Sequence, residues 1–239
     1  MNRTERHHLK DNELANLASS TRHAVEENRT PIIGIVVGVV VLLAVVGGYF
    51  AWTSRVNNRA GSLLADATVL ENAFVGPPGA PGSGPITFET QRAKQQAMLT
   101  KFKIVADEYP ATDAGLFARY RMGTTYLALG EAKSAGEAFQ QVIDQNAGSL
   151  YGQMARLGLA ESQALTGAYD EAIKAYTELA QRTDGAVPVD GVLVRLARTY
   201  VEAGNTAEAT KTWTRIVDEF PNSPFTAEAR QKLAELKKS

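Results

Sequence analysis

Three stretches of this chain, 130–142 (GEAKSAGEAFQQV), 167–179 (GAYDEAIKAYTEL) and 204–216 (GNTAEATKTWTRI), carry one pattern at an interval of 37 residues. Each opens on a glycine (Gly130, Gly167, Gly204). An alanine follows (Ala135, Ala172, Ala209), then an aromatic (Phe139, Tyr176, Trp213) and an aliphatic residue (Val142, Leu179, Ile216). The last three fall at i, i+4 and i+7, the apolar stripe of an amphipathic helix. One such unit cannot bury its stripe alone, so the recurrence predicts stacked helix pairs, a solenoid with an extended concave surface.

Glycine belongs where a preceding helix stops and turns, because it takes positive φ without steric cost. A second helix is therefore expected ahead of each glycine. Leu193, Leu196, Ala197 and Tyr200 lie at i, i+3, i+4 and i+7 before Gly204. Met122, Gly123 and Tyr126 stand in register before Gly130, and Leu159 and Ala160 before Gly167, with Gln163 where the tyrosine belongs. This succession, closed by Pro221 in the last unit, resembles the tetratricopeptide repeat over roughly residues 90–239, with Phe102, Val105 and Pro110 marking a B helix one period upstream. Two departures are visible. Arg119 and Arg156 occupy the position where a large residue opens helix A, and the 37-residue period exceeds the usual 34, which predicts longer loops. Phe225–Leu236 reads as an unpaired helix whose Glu228, Arg230, Gln231, Lys232 and Glu235 give the polar outer face of a cap.

Residues 32–52 (IIGIVVGVVVLLAVVGGYFAW) carry no charge and, as a helix, cover roughly 30 Å, the thickness of a bilayer's hydrocarbon core. A cleaved signal peptide would have a shorter apolar run behind a shorter leader, so a transmembrane helix is expected, with Tyr49, Phe50 and Trp52 at the water boundary. Arg22 and Arg29, with Lys10 at the margin, face Arg55 and Arg59 across it, which scarcely sets orientation. A short tail before a large domain favours an N-in, single-pass anchor. Gly34 and Gly38 form a GxxxG pair through which the helix could self-associate; glycine is also common in membrane helices, and that plainer reading is favoured.

The expected organisation is a cytoplasmic tail (1–30), a transmembrane helix (31–52), a juxtamembrane helix with a Gly/Pro-rich insertion (53–92) and the repeat domain (93–239). The fold class is all-α: a single N-terminal transmembrane helix, a tetratricopeptide-like α-solenoid and a C-terminal capping helix. Leu14, Leu17, Ala18 and Val25 leave the tail open to either a short helix or disorder. Asn57–Phe74 reads as a helix with Leu63, Leu64, Ala67, Leu70 and Phe74 on one side. The following GPPGAPGSGP cannot be helical, and we read it as an insertion between the helices of a degenerate first repeat.

Chemistry is limited by what the chain lacks. Charge is balanced, 25 basic against 26 acidic residues, which argues against nucleic acid as a partner. With no cysteine there is no thiolate catalysis or thiol redox chemistry. His7, His8 and His23 all precede the apolar segment, so no histidine triad can form in the repeat domain, and their spacing does not suit a metal. No phosphate-cradling loop occurs. An enzyme is not expected, nor a cofactor or a metal.

Taken whole, tail, glycine-punctuated anchor, adjoining helix and repeats resemble the YfgM-type ancillary subunits of the bacterial Sec translocon. That resemblance implies an inner-membrane protein with a periplasmic domain that contacts translocon subunits, periplasmic chaperones or unfolded clients. The Gly/Pro insertion departs from it. The alternative is a scaffold coordinating cell-division or outer-membrane assembly complexes. In either case register points to a partner groove on the inner helices, lined by Phe117, Tyr120, Thr124, Leu127, Met154, Leu157, Glu161, Val194 and Arg198. Leu157 and Val194 also suit inter-repeat core. Trp213 is expected in the core.

Overall fold

The structure, a computed structural model, describes residues 29–77, 79–80, 83–181 and 187–237. The expected tail with its three histidines, parts of the Gly/Pro stretch and Ser239 lie outside the described residues. The chain forms two units, Met1–Arg55 and Val56–Ser239.

In the first unit the described element is the beginning of α1 (Arg29–Val69), with Pro31 in its opening turn, where no N–H is missed. Its apolar side chains from Ile33 to Trp52 are exposed. Among the described residues it is the one helix long and apolar enough to cross a membrane, a property shared by membrane anchors and signal sequences. Gly34 and Gly38 meet nothing within 4 Å of where a Cβ would stand. No break separates the expected transmembrane and juxtamembrane helices.

The second unit begins with the end of α1, where Ala67 and the following Leu70 are buried against Met98, Phe102 and Val105 of α2 (Gln91–Glu108), so these last turns serve as an A helix to α2. Contrary to expectation, Phe74 is not on that helix. One 3-10 turn, Leu70–Asn72, ends it, and Phe74–Val75 (β1) pairs in parallel with Thr87–Phe88 (β2), closing the Gly/Pro segment into a loop. The physical reason is that Lys94, buried on α2, donates its ammonium to the carbonyls of Glu71 (2.6 Å) and Ala73 (2.9 Å). A cation bonded to the last carbonyls stabilises a helix end there.

Three further pairs follow: α3 (Asp113–Leu129) with α4 (Ala132–Asn146), α5 (Leu150–Leu165) with α6 (Tyr169–Ala180), and α7 (Val189–Glu202) with α8 (Thr206–Glu219). Helix α9 (Thr226–Leu236) packs on α8 and exposes Arg230, Gln231 and Glu235. Thr112 and Ser149 cap α3 and α5 by accepting from the backbone N–H groups of Gly115 (3.0 Å) and Gly152 (2.9 Å). The A helices end alike. Gly130, Gly167 and Gly204 take φ of 81°, 82° and 76°. The next residue in each case donates back to the carbonyl of Tyr126, Gln163 or Tyr200, which satisfies a carbonyl the helix leaves free.

On the B helices the stripe is buried throughout, from Ala135, Phe139 and Val142 to Ala209, Trp213 and Ile216, and Met98, Phe102 and Val105 repeat it one period earlier. Phe139 shows how the layers fit. A Cβ on Gly123 of α3 would lie 2.6 Å from its ring, and one on Gly158 of α5 2.5 Å, so the ring is held between two helix backbones. The longer period is not a matter of longer loops in the α3–α4 repeat: these helices run to 17 and 15 residues, joined by two residues. Without the closing proline nothing stops α4 before Asn146. In the repeat opened by Gly167, α6 ends at Ala180 and α7 begins at Val189.

Two substitutions test this packing in the full-length chain in detergent micelles. Trp213→Ala is expected to cost about 3–5 kcal/mol through the cavity it opens. Gly158→Ala gains about 1 kcal/mol of helix propensity, yet is expected to lower the melting temperature by circular dichroism, because overpacking costs about 1–3 kcal/mol. A rise in melting temperature would show that the Phe139 ring is not confined.

Candidate functional site

Successive A helices (α3, α5, α7) contact one another more extensively than successive B helices do, so the array bends with its A helices on the inside. All nine expected groove residues lie on these three helices. Five of them fall in two clusters. On α3, Phe117 and Tyr120 stand half-buried beside Tyr151 of α5, with ring centroids 5.0 and 5.9 Å from it, and Tyr120 also meets Phe139 at 5.8 Å. Further along, Glu161, Val194 and Arg198 line a cavity of about 300 Å³ with Arg195, Tyr176 and Phe225.

Other expected residues are placed differently. Val194 is 2% exposed and belongs to the core, so it contributes a wall rather than a free side chain. Leu157 packs on that core, and Leu127 on the cluster around Phe139. Thr124 lines a separate, polar cavity of about 410 Å³ with Glu71, Lys94 and Arg121. Met154 is half-buried on α5. Tyr151, Arg195 and Phe225 were not anticipated. Arg195 adjoins Val194, and Tyr151 lies one turn before Met154, so a wider inner face would have included both.

The charges at the cavity are largely tied to the scaffold. Arg195 pairs with Glu161 at 3.5 Å, and Arg198 reaches Glu228 of the cap at 2.6 Å. Both pairs are partly exposed and contribute only about 0–1 kcal/mol each; their effect is on orientation. Burial pushes the Tyr176 phenol well above the ordinary tyrosine range, with the Glu161 carboxylate adding to it and Arg195 opposing. Burial likewise raises Tyr120. Such a surface, aromatic at one end and ionic at the other, can hold an extended or helical peptide through rings and backbone.

A curved stack of helix pairs with its ring-bearing face inward is a helical-repeat scaffold. The profile described as tetratricopeptide repeat-like domain matches residues 26–186, and a second, tetratricopeptide repeat, matches residues 192–223. The first covers more than half of the chain, which therefore belongs to the tetratricopeptide repeat-like domain family. That domain is the one of YfgM-type proteins. Such scaffolds are typically non-catalytic, and no catalytic domain is matched. Two crystal structures of the nearly identical TPR-like repeats of a candidate kinesin light chain from Podosopora anserina superpose with TM-scores of 0.52 and 0.51. Each is 16% identical and covers 62% of this chain and 79% or 80% of its own, a likeness of fold alone. No curated protein sequence matches the chain.

The raised phenols give a pH dependence. Their neutral form is favoured by folding, so the stability they contribute is complete below the unfolded value of about 10 and is lost as pH rises through the folded ones. Ultraviolet titration of tyrosinate should show a fraction of tyrosines ionising late, and Tyr176→Phe should remove part of it. Titration of every tyrosine near its ordinary value would contradict the burial of Tyr176.

Proposed function

We propose that the protein is a membrane-anchored protein-protein interaction module of the bacterial envelope, single-pass in the inner membrane, whose periplasmic repeats assist translocation or chaperoning of secreted proteins. The observation that carries this reading is that the family match begins at residue 26, ahead of the apolar run, so that anchor and repeats fall within one domain. Repeats of this kind suit protein partners. The aromatic cluster of Phe117, Tyr120 and Tyr151 supplies half-buried anchors on the inner face, and rings of this sort carry much of the affinity at interfaces.

Topology is tested through the absence of native cysteine. In intact spheroplasts a membrane-impermeant maleimide should label Ser239→Cys and not Ser19→Cys; the reverse would invert the topology and remove the periplasmic role. The binding face is tested with a photo-crosslinker at Tyr120 and, as a control, at exposed Lys174 on α6. Translocon subunits, chaperones or secreted clients should be captured from position 120 alone. Equal capture from both positions would mean that the inner face is not the docking surface.

A further inference from the structure

Arg119, Arg156 and Leu193 hold the same place in three successive units, the opening of helix A. Leu193 is buried in the core, as an apolar residue there should be. Arg119 is accommodated by the end of the preceding B helix: its Nη2 donates to the carbonyl of Ala106 at 2.9 Å and lies 3.8 Å from Asp107. Arg156 has no such arrangement. Asp144, one period after Asp107, instead accepts from Gln140 at 2.7 Å. Among the described residues Arg156 has neither an ion-pair nor a hydrogen-bond partner, and its Nε is sealed from solvent without an acceptor.

Arg156 borders a cavity of about 440 Å³ between α4, α5 and α6, walled by Ile143, Leu159, Ala175 and Leu179, with Gln140 as a polar neighbour. Arg156 as a whole is half-buried and only this Nε–H is sealed; an arginine does not shed its proton and a buried donor without an acceptor is costly, so that N–H calls for an anion or ordered water. The space exceeds what one water needs and falls within the roughly 300–1,000 Å³ of ligand pockets. Glu178, an exposed residue, is the one acidic side chain lining the cavity, and it forms no ion pair with Arg156. None of the nine groove residues lines this cavity.

We propose that this cavity is a binding site for a carboxylate carried on an apolar residue of a polypeptide, with Arg156 as its counter-ion and the four apolar side chains receiving the rest. The carboxylate comes from a chain terminus or from an acidic side chain. The polypeptide source rests on the repeats being protein-binding; the carboxylate site itself does not, and it stands or falls apart from the inner face.

The full-length chain in micelles, in chloride buffer, is titrated with N-acetyl-leucine, its amide, and a doubly capped Leu-Glu-Leu peptide, following by NMR the Arg156 Nε–Hε resonance and, in every variant, the backbone amide of Ala175 in the cavity wall. A shift with N-acetyl-leucine that the amide does not produce supports the site and assigns it to chain termini; a shift with the capped acidic peptide alone supports it with a side-chain source. Arg156→Leu restores the residue type found at position 193. It is expected to keep or raise the melting temperature while weakening binding at least tenfold, and Glu178→Gln is expected to tighten binding. Absence of any shift, equal binding by Arg156→Leu, or a melting temperature lowered by that change would each overturn the proposal.

Discussion

The structure depends on one contact made repeatedly: a ring on a B helix filling the gap between A helices that present small residues to it. Phe102, Phe139, Tyr176 and Trp213 are all buried, and at Phe139 the fit is close enough that a Cβ at position 123 or 158 would stand 2.6 or 2.5 Å from the ring. An aromatic side chain buries about 150–250 Å², worth roughly 4–6 kcal/mol as an upper bound at about 25 cal/mol per Å². The partly exposed ion pairs contribute about 0–1 kcal/mol each. Spacing between layers is therefore set by rings, and the charges only orient what the rings have placed.

The same contact explains how the repeats begin. Phe102 needs a helix on each side, and the final turns of α1 supply one, with Ala67 and Leu70 against it. Three polar groups hold that junction. Lys94 binds the carbonyls that end the helix, Arg121 pairs with Glu71 at 2.7 Å, and the Arg121 guanidinium lies 5.7 Å from the Phe102 ring centroid. A buried ammonium would be costly alone; with two carbonyl acceptors it becomes a stop signal for the helix. Within the second unit, the last turns of α1 are thus part of the first repeat.

Two departures from the pattern leave buried polar atoms without partners, and Trp213 Nε1, at a position that keeps the pattern, is left likewise. Gln163 replaces the expected tyrosine, and its Oε1 is buried without a donor; Arg156 replaces an apolar residue, and its Nε is buried without an acceptor. Both lie on α5, the A helix of the middle pair. A scaffold built for packing alone would place apolar side chains there, as the third unit does with Leu193. Middle repeats are also the ones covered on both sides by neighbours.

Local rules sufficed for the B helices and the turns. A stripe at i, i+4 and i+7 requires no knowledge of the neighbour to be read as buried, and a glycine that must take positive φ announces a helix end from its own chemistry. The inner face was less legible. Residues beside the A-helix stripe lie near the boundary of burial, and which side of it they fall on depends on a partner helix about one repeat away and on the curvature of the stack. So Val194 is core, Arg198 is bound to the cap, and Tyr151 and Arg195 join the face unannounced. The strand at Phe74 has the same origin, because Lys94, 20 residues later in sequence, ends α1. The sequence by itself determined that helices would pair and repeat, since periodicity and backbone freedom are properties of the residues themselves; only the tertiary structure decided which side chains the pairing would leave at the surface.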